Sequence, residues 1–196
     1  MTPTSISMAV VAMLLAQPSL ANAYREQGKI AGIADSKLVV TPPRSWNVLS
    51  VKPGKLAEVW TLDGEQLNEV TFFAGIAPGQ PLVRERNRKR KPLPKFASST
   101  LPSEIPELLE NTYRALDDAR EFTLSSTKIQ PFLGQDGLSF AYEFTDDDGL
   151  PRKGEARAAI IGGRLYMAAF EAPRLHYFDR TVGDYRALVE TAKLGK

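Results

Sequence analysis

The order of apolar patterns along the chain predicts an α+β fold, an antiparallel β-sheet flanked by helices. Three observations carry this expectation. Two pairs of strand-like runs are joined by short turn signals, at Asp63-Gly64 and at Gly162-Gly163. Two other stretches, over 103–119 and from Val182 to Ala192, repeat apolar residues at helical spacing. The alternating segments that begin at Leu138 follow one another closely enough to form a meander.

Each element follows from local pattern. Lys37 to Thr41 reads as a short strand stopped by Pro42-Pro43, and Ser45 to Leu49 as another. Pro53-Gly54 marks a turn. Leu56 to Leu62 and Glu65 to Ala74 flank Asp63-Gly64, two residues that tolerate the positive φ of a type I′ turn. That register sets Trp60 opposite Leu67 and Glu58 opposite Glu69. Residues 75–102 lose all periodicity and read as a loop of a length that is usually functional or disordered. Ile105, Leu108, Leu109, Tyr113 and Leu116 predict an amphipathic helix over 103–119, with Ser103 as its cap. Phe122 to Leu124 reads as a short strand. Leu138, Phe140, Tyr142 and Phe144 share one face of the next strand. Glu155 to Ile161 and Arg164 to Glu171 complete the meander. Val182, Tyr185, Leu188, Val189 and Ala192 define a closing helix, ended by Gly195.

The ending, Leu165-Tyr166-Met167-Ala168-Ala169-Phe170 followed by Tyr177-Phe178-Asp179 and a short helix, resembles the close of PsbP-like domains. The order of strands, helix, meander and helix resembles them too. Trp60-Thr61-Leu62-Asp63-Gly64 with Val70 to Ile76 is similar to exported bacterial proteins of this kind. The resemblance spans residues 37–194 and rests on pattern, not on a catalytic motif. It implies an α/β/α sandwich. The superfamily includes a photosystem II extrinsic subunit and a Ran-binding import factor, so it also implies docking onto partners rather than chemistry. No functional residue carries over.

Residues 1–23 have no charged side chain, and Ile6 to Ala16 is an almost wholly apolar run. It precedes Ala21-Asn22-Ala23, the small-x-small pattern of a signal peptide cleaved after Ala23. The run falls short of the ~20 residues that span a bilayer. The expected mature chain is 24–196, a single domain, bacterial and periplasmic or secreted, with no transmembrane helix. No Cys and one His among 196 residues exclude a disulfide framework, a thiolate nucleophile and a multi-histidine metal site. No cofactor is expected. The chain also lacks a Walker or dinucleotide-binding glycine pattern.

Charge is unevenly spread. Residues 84–95 read RERNRKRKPLPK, seven basic residues against Glu85 alone. That is +6, so a total of +2 leaves −4 on the rest of the chain. Arg84, Arg86, Arg88, Lys89, Arg90 and Lys91 are the candidate binding residues of this basic loop, which suits anionic lipid or an acidic protein. The run contains no aromatic side chain for stacking bases, so nucleic acid is not expected.

Other constellations are weaker. Asp146-Asp147-Asp148-Gly149 fits part of a calcium loop, but Phe144 stands where the first ligand belongs. Asp and Gly favour turns for local reasons. Ser125 and Lys128 have Ser-x-x-Lys spacing in a stretch that reads as extended, where they do not stack as that chemistry needs. His176 has no nucleophile elbow to serve and reads as a packing or capping residue. Trp46, Trp60, Phe72 and Phe73 suit a core as well as a ligand pocket. The sequence therefore predicts a non-catalytic exported protein that docks onto a protein partner or an anionic envelope surface. The alternatives are a small periplasmic hydrolase using paired carboxylates, Glu58 and Glu69, or a carrier of an apolar ligand.

Overall fold

The computed structural model describes residues 23–117 and 119–195. Apart from Ala23, the expected signal segment lies outside the described residues.

One large antiparallel sheet organises the chain. Its strands are β1 (Ala23–Arg25), β4 (Trp46–Val48), β5 (Ala57–Thr61), β6 (Glu69–Ile76), β7 (Arg120–Ile129), β8 (Leu138–Thr145), β9 (Pro151–Ile161) and β10 (Arg164–Pro173). Their order across the sheet is β1-β4-β5-β6-β10-β9-β8-β7. A second sheet of β11 (Lys193–Leu194), β3 (Leu38–Val40) and β2 (Ala31–Gly32) lies beside it. Helix α1 (Ile105–Asp117) follows a 3-10 turn at Pro102–Glu104, and α2 (Tyr177–Glu190) follows β10.

Side-chain alternation gives the large sheet two apolar faces. One face presents Trp60, Val70, Phe72, Ala168 and Phe170 to Phe178, Tyr185 and Leu188 of α2, and to Leu38 and Val40 of the small sheet. The other presents Phe73, Phe140, Tyr142, Phe144 and Met167 to Ile105, Leu108 and Leu109 of α1. The result is an α/β/α sandwich, with the meander face falling where its alternation puts it.

Local chemistry explains where expectation and structure part. Gly162 and Gly163 both have positive φ, 56° and 71°, and join β9 to β10 as a tight hairpin. The Asp63-Gly64 connection is wider. Trp60 pairs with Val70 and Glu58 with Phe72, not with Leu67 and Glu69. The cause is Asn68, which is fully buried. Its Oδ1 accepts from the Leu62 amide at 2.7 Å, and its Nδ2 donates to Asp63 Oδ2 at 2.8 Å. A side chain thus supplies the bonds that a two-residue turn would have closed through backbone.

The first helix is capped differently from expectation. Ser103 sits within the 3-10 turn, and the Leu101 amide donates to Glu104 Oε2 at 2.8 Å. Gly195 does not end α2, whose last turn closes at Thr191; its amide instead donates to Lys37 O, beyond β11. His176 precedes α2 with φ 66° and makes no side-chain cap bond; it is exposed rather than packed. The strand expected at Phe122 to Leu124 extends over all of β7, which holds Ser125 and Lys128 in extended backbone.

Candidate functional site

Two features occupy the α1 side of the molecule: the basic loop, and a cleft beside it. The loop leaves β6 after Ile76 and is rooted in the core. Leu82 and Phe96 pack among the residues under α1, and Leu93 is buried. Pro81 and Lys95 form an isolated β-bridge, and the Phe96 amide donates to Gln80 O at 2.9 Å. Glu85, the one acidic residue of the run, accepts from the Leu93 amide at 3.0 Å. The Arg84 amide donates to Pro53 O at 2.7 Å. Between these anchors a turn at Asn87 reverses the chain, with the Lys91 amide donating to Asn87 O at 2.8 Å. Arg84, Arg86, Arg88, Lys89, Arg90 and Lys91 are all exposed. Arg88 lies 3.7 Å from Glu85.

The cleft is built from inward-facing positions of three neighbouring strands. On β6 the row toward α1 is Glu69, Thr71 and Phe73; on β10 it is Met167, Ala169 and Glu171; on β9 it is Arg152, Gly154 and Ala156. The ladder sets Glu69 directly opposite Glu171. Like charges so placed repel, and the Arg152 guanidinium lies between them and the acidic turn. Its Nη2 is 3.2 Å from Glu171 and 3.9 Å from Glu69, and its Nη1 is 3.9 Å from Asp146. Nη1 also donates to Gln66 O at 3.1 Å. Arg152 is only 5% exposed.

Burial pushes the Glu171 carboxyl above its usual range; Arg152 and a hydrogen bond with Tyr113 work against that, and the charge of Asp146 adds to it. Burial likewise raises the Tyr113 and Tyr142 hydroxyls, with the Glu171 charge acting in the same sense. The space above this floor is 610 Å³, within the size range of ligand clefts. Apolar walls come from Val59, Val83, Leu116 and Phe144, and Arg86 of the basic loop stands at its margin.

The expected carboxylate pair is absent from this site. Glu58 and Glu69 lie on opposite faces of the sheet. Glu58 shares the α2 face with Trp60, 1% exposed. It accepts from Trp60 Nε1 at 2.8 Å, the Ala34 amide at 3.0 Å and Arg25 Nη2 at 3.1 Å. Burial acts to raise its carboxyl, but these three donors outweigh it and hold the group below the usual range. Trp46, Trp60 and Phe72 are core residues on that same face, and Phe73 alone of the expected aromatic set reaches the cleft. The Asp146 to Gly149 segment is a turn between β8 and β9. Asp146 Oδ1 accepts from the Leu150 amide at 2.8 Å, and Phe144 is buried.

Sequence reading missed Arg152 and Glu171. The available signal was periodicity, because each continues an inward row of small or apolar residues at two-residue spacing.

No family model matches the chain, and no curated protein matches it either. Solved structures do. The solution structure of cyanobacterial PsbP (CyanoP) from Synechocystis sp. PCC 6803 superposes with a TM-score of 0.53 at 10% identity, covering 96% of this chain and 97% of that one. LpqN of Mycobacterium tuberculosis, described as involved in cell envelope biogenesis, gives a TM-score of 0.38 at 9% identity, covering 93% and 88%. The first of these likenesses gives the chain a PsbP-like fold, an antiparallel sheet between two helical layers.

Proposed function

We propose that this chain is an exported, non-catalytic protein that docks onto a protein partner or an anionic envelope surface through Arg84, Arg86, Arg88, Lys89, Arg90 and Lys91. The observation that carries this reading is a loop with exposed basic side chains and buried roots. A charged segment that is already anchored loses less conformational freedom on contact than a free tail. Attraction to an anionic membrane contributes about 1 kcal/mol per basic residue near the surface.

Export rests on the apolar run and small-x-small triplet before Tyr24. Among the described residues no helix is long and apolar enough to cross a membrane. Surface attachment through charge is consistent with that. The fold is in keeping with a docking role and does not specify one.

The test replaces all six residues by Gln and measures co-sedimentation with vesicles containing anionic phospholipid, and pull-down from envelope extract. The reading expects strong binding of the unmodified chain at low salt, weakening as salt screens the charges, and loss in the variant. Equal binding of the two chains at low salt overturns it.

A further inference from the structure

Each basic residue of the loop is followed by a peptide bond of the kind cut by an endoprotease selective for Arg and Lys, and the fold sorts these bonds into two sets. Three are shielded. Arg84–Glu85 lies between two anchors, the Arg84 amide on Pro53 O at 2.7 Å and the Glu85 carboxylate on the Leu93 amide at 3.0 Å. Lys95–Phe96 ends on a side chain 1% exposed, whose amide donates to Gln80 O at 2.9 Å. Lys91–Pro92 has a proline on its leaving side, with φ fixed by the ring and no amide hydrogen. Four bonds are open: Arg86–Asn87, Arg88–Lys89, Lys89–Arg90 and Arg90–Lys91. Residues 86–92 are all exposed. Their turn is closed at Asn87, whose carbonyl accepts from the Lys91 amide at 2.8 Å and the Arg90 amide at 3.2 Å. A single exposed turn opens at little cost, and exposed loop tips are where chains are nicked.

A second observation concerns what a cut at the tip separates. The strands on one side of the large sheet, β1, β4, β5 and β6, all precede the loop, and those on the other side, β10, β9, β8 and β7, all follow it. Cleavage therefore leaves each half-sheet whole. The halves stay joined by the β6–β10 ladder and by β11 on β3. They also share a core, in which Trp60 and Phe72 come from one half and Phe170 and Tyr185 from the other.

We propose that the loop tip, Arg86 to Lys91, is a processing site for an endoprotease selective for Arg and Lys, and that cleavage there releases the protein from its anionic surface without unfolding it. The processing site stands on the loop geometry alone; the release rests on the docking proposed for this loop. Each cut consumes one water. The C–N bond breaks, the carbonyl carbon takes the water oxygen and becomes a carboxylate, and the nitrogen takes both hydrogens and leaves as an α-ammonium group. Cuts at Arg86–Asn87 and Arg90–Lys91 free Asn87 to Arg90 and remove the charges of Arg88, Lys89 and Arg90. The new carboxylate on Arg86 and the new ammonium on Lys91 cancel, so the net loss is those three positive charges.

The experiment digests the purified chain with a trace of trypsin, follows the cuts by intact-mass spectrometry, and repeats the incubation with envelope extract. The first cuts are expected at the four open bonds in both, with Arg84–Glu85, Lys91–Pro92 and Lys95–Phe96 intact while the protein is folded. The two pieces should co-elute as one species with an unchanged near-ultraviolet circular dichroism spectrum, and should separate in urea. Replacing Arg86, Arg88, Lys89 and Arg90 by Gln should abolish these early cuts. Vesicles containing anionic phospholipid should then bind the nicked protein at least about tenfold more weakly than the intact one. First cuts elsewhere, a loop left whole by the extract, or pieces that fall apart on nicking overturn the processing site. Equal vesicle binding of nicked and intact protein overturns the release. An intact chain that does not bind vesicles overturns the docking reading and the release with it, while the cut map stands or falls separately.

Discussion

The ring of Tyr142 lies directly over the backbone of Gly154, its cross-strand partner on β9. A methyl group on Gly154 would collide with Cζ and Cε2 of that ring. The same ring stacks on Phe122 at 5.2 Å and meets Tyr113 edge-on at 6.1 Å, so it has no free direction in which to retreat. Gly154→Ala should destabilise the fold by about 1–3 kcal/mol, the usual cost of overpacking. Urea unfolding checks this, with the midpoint falling and the slope unchanged. A neutral result would mean that the aromatic cluster is loosely packed.

Asn68 offers a separate test of the turn that displaced the expected hairpin register. Asn68→Ala leaves the Leu62 amide without its acceptor and removes the donor to Asp63. The expected loss is about 1–3 kcal/mol, the penalty of stranding a buried polar group. Asn68→Asp keeps the acceptor but sets a second carboxylate beside Asp63, so it should also destabilise the fold, and less so at acidic pH. Thermal unfolding at two pH values separates the two variants.

The Glu58 carboxylate ties β1 and the Ala34 turn to β5. Glu58→Gln should cost about 2 kcal/mol at neutral pH, since bonds to a charged group exceed neutral ones. The sign of the pH effect follows from the direction of the shift. A carboxyl held below 4.5 in the folded state contributes stability above its unfolded value, and loses it as pH falls through the folded value. The gap between the two proteins should therefore close below pH 4.5 and stay constant above it. A gap that persists in acid would assign the role of Glu58 to packing.

Glu85 is the pin of the basic loop. Glu85→Gln should leave global stability within ~0.5 kcal/mol, as expected for a loop position. It should speed hydrogen exchange of the Leu93 amide by about tenfold, reporting local opening. Unchanged exchange would show that Leu82 and Phe96 hold the roots unaided.

Much of the architecture was legible in the sequence because it depends on periodicity. The row Leu138, Phe140, Tyr142 and Phe144 faces α1 as its alternation demands, and Gly162-Gly163 closes a tight hairpin because little else tolerates two positive φ values. The Asp63-Gly64 register was not legible, because it is set by a buried Asn68 acting on backbone groups that look like ordinary strand from sequence. The cleft was hidden for a different reason. Arg152, Glu69 and Glu171 come from three strands, and only the β6–β10 ladder brings the two carboxylates face to face. Charged residues scattered along a chain read as surface until the pairing of strands is known. The basic run was visible at once, since its residues are contiguous, but its buried roots at Leu82, Leu93 and Phe96 were not.

The β6–β10 ladder also divides the chain in time. Strands β7 to β10 are joined by turns and pair with near neighbours in sequence, whereas β6 meets β10 only after the basic loop, α1 and three intervening strands are in place. Closing that span loses chain entropy before the ladder's contacts compensate. The meander is thus the segment able to assemble early, and the joining of β6 to β10 is the expected slow event of folding. Substitutions at Phe72 or Phe73 should then slow folding or speed unfolding according to whether that seam is formed in the transition state. Until the seam closes, the Glu69–Arg152–Glu171 cluster does not exist, so formation of the cleft reports closure of the β6–β10 seam.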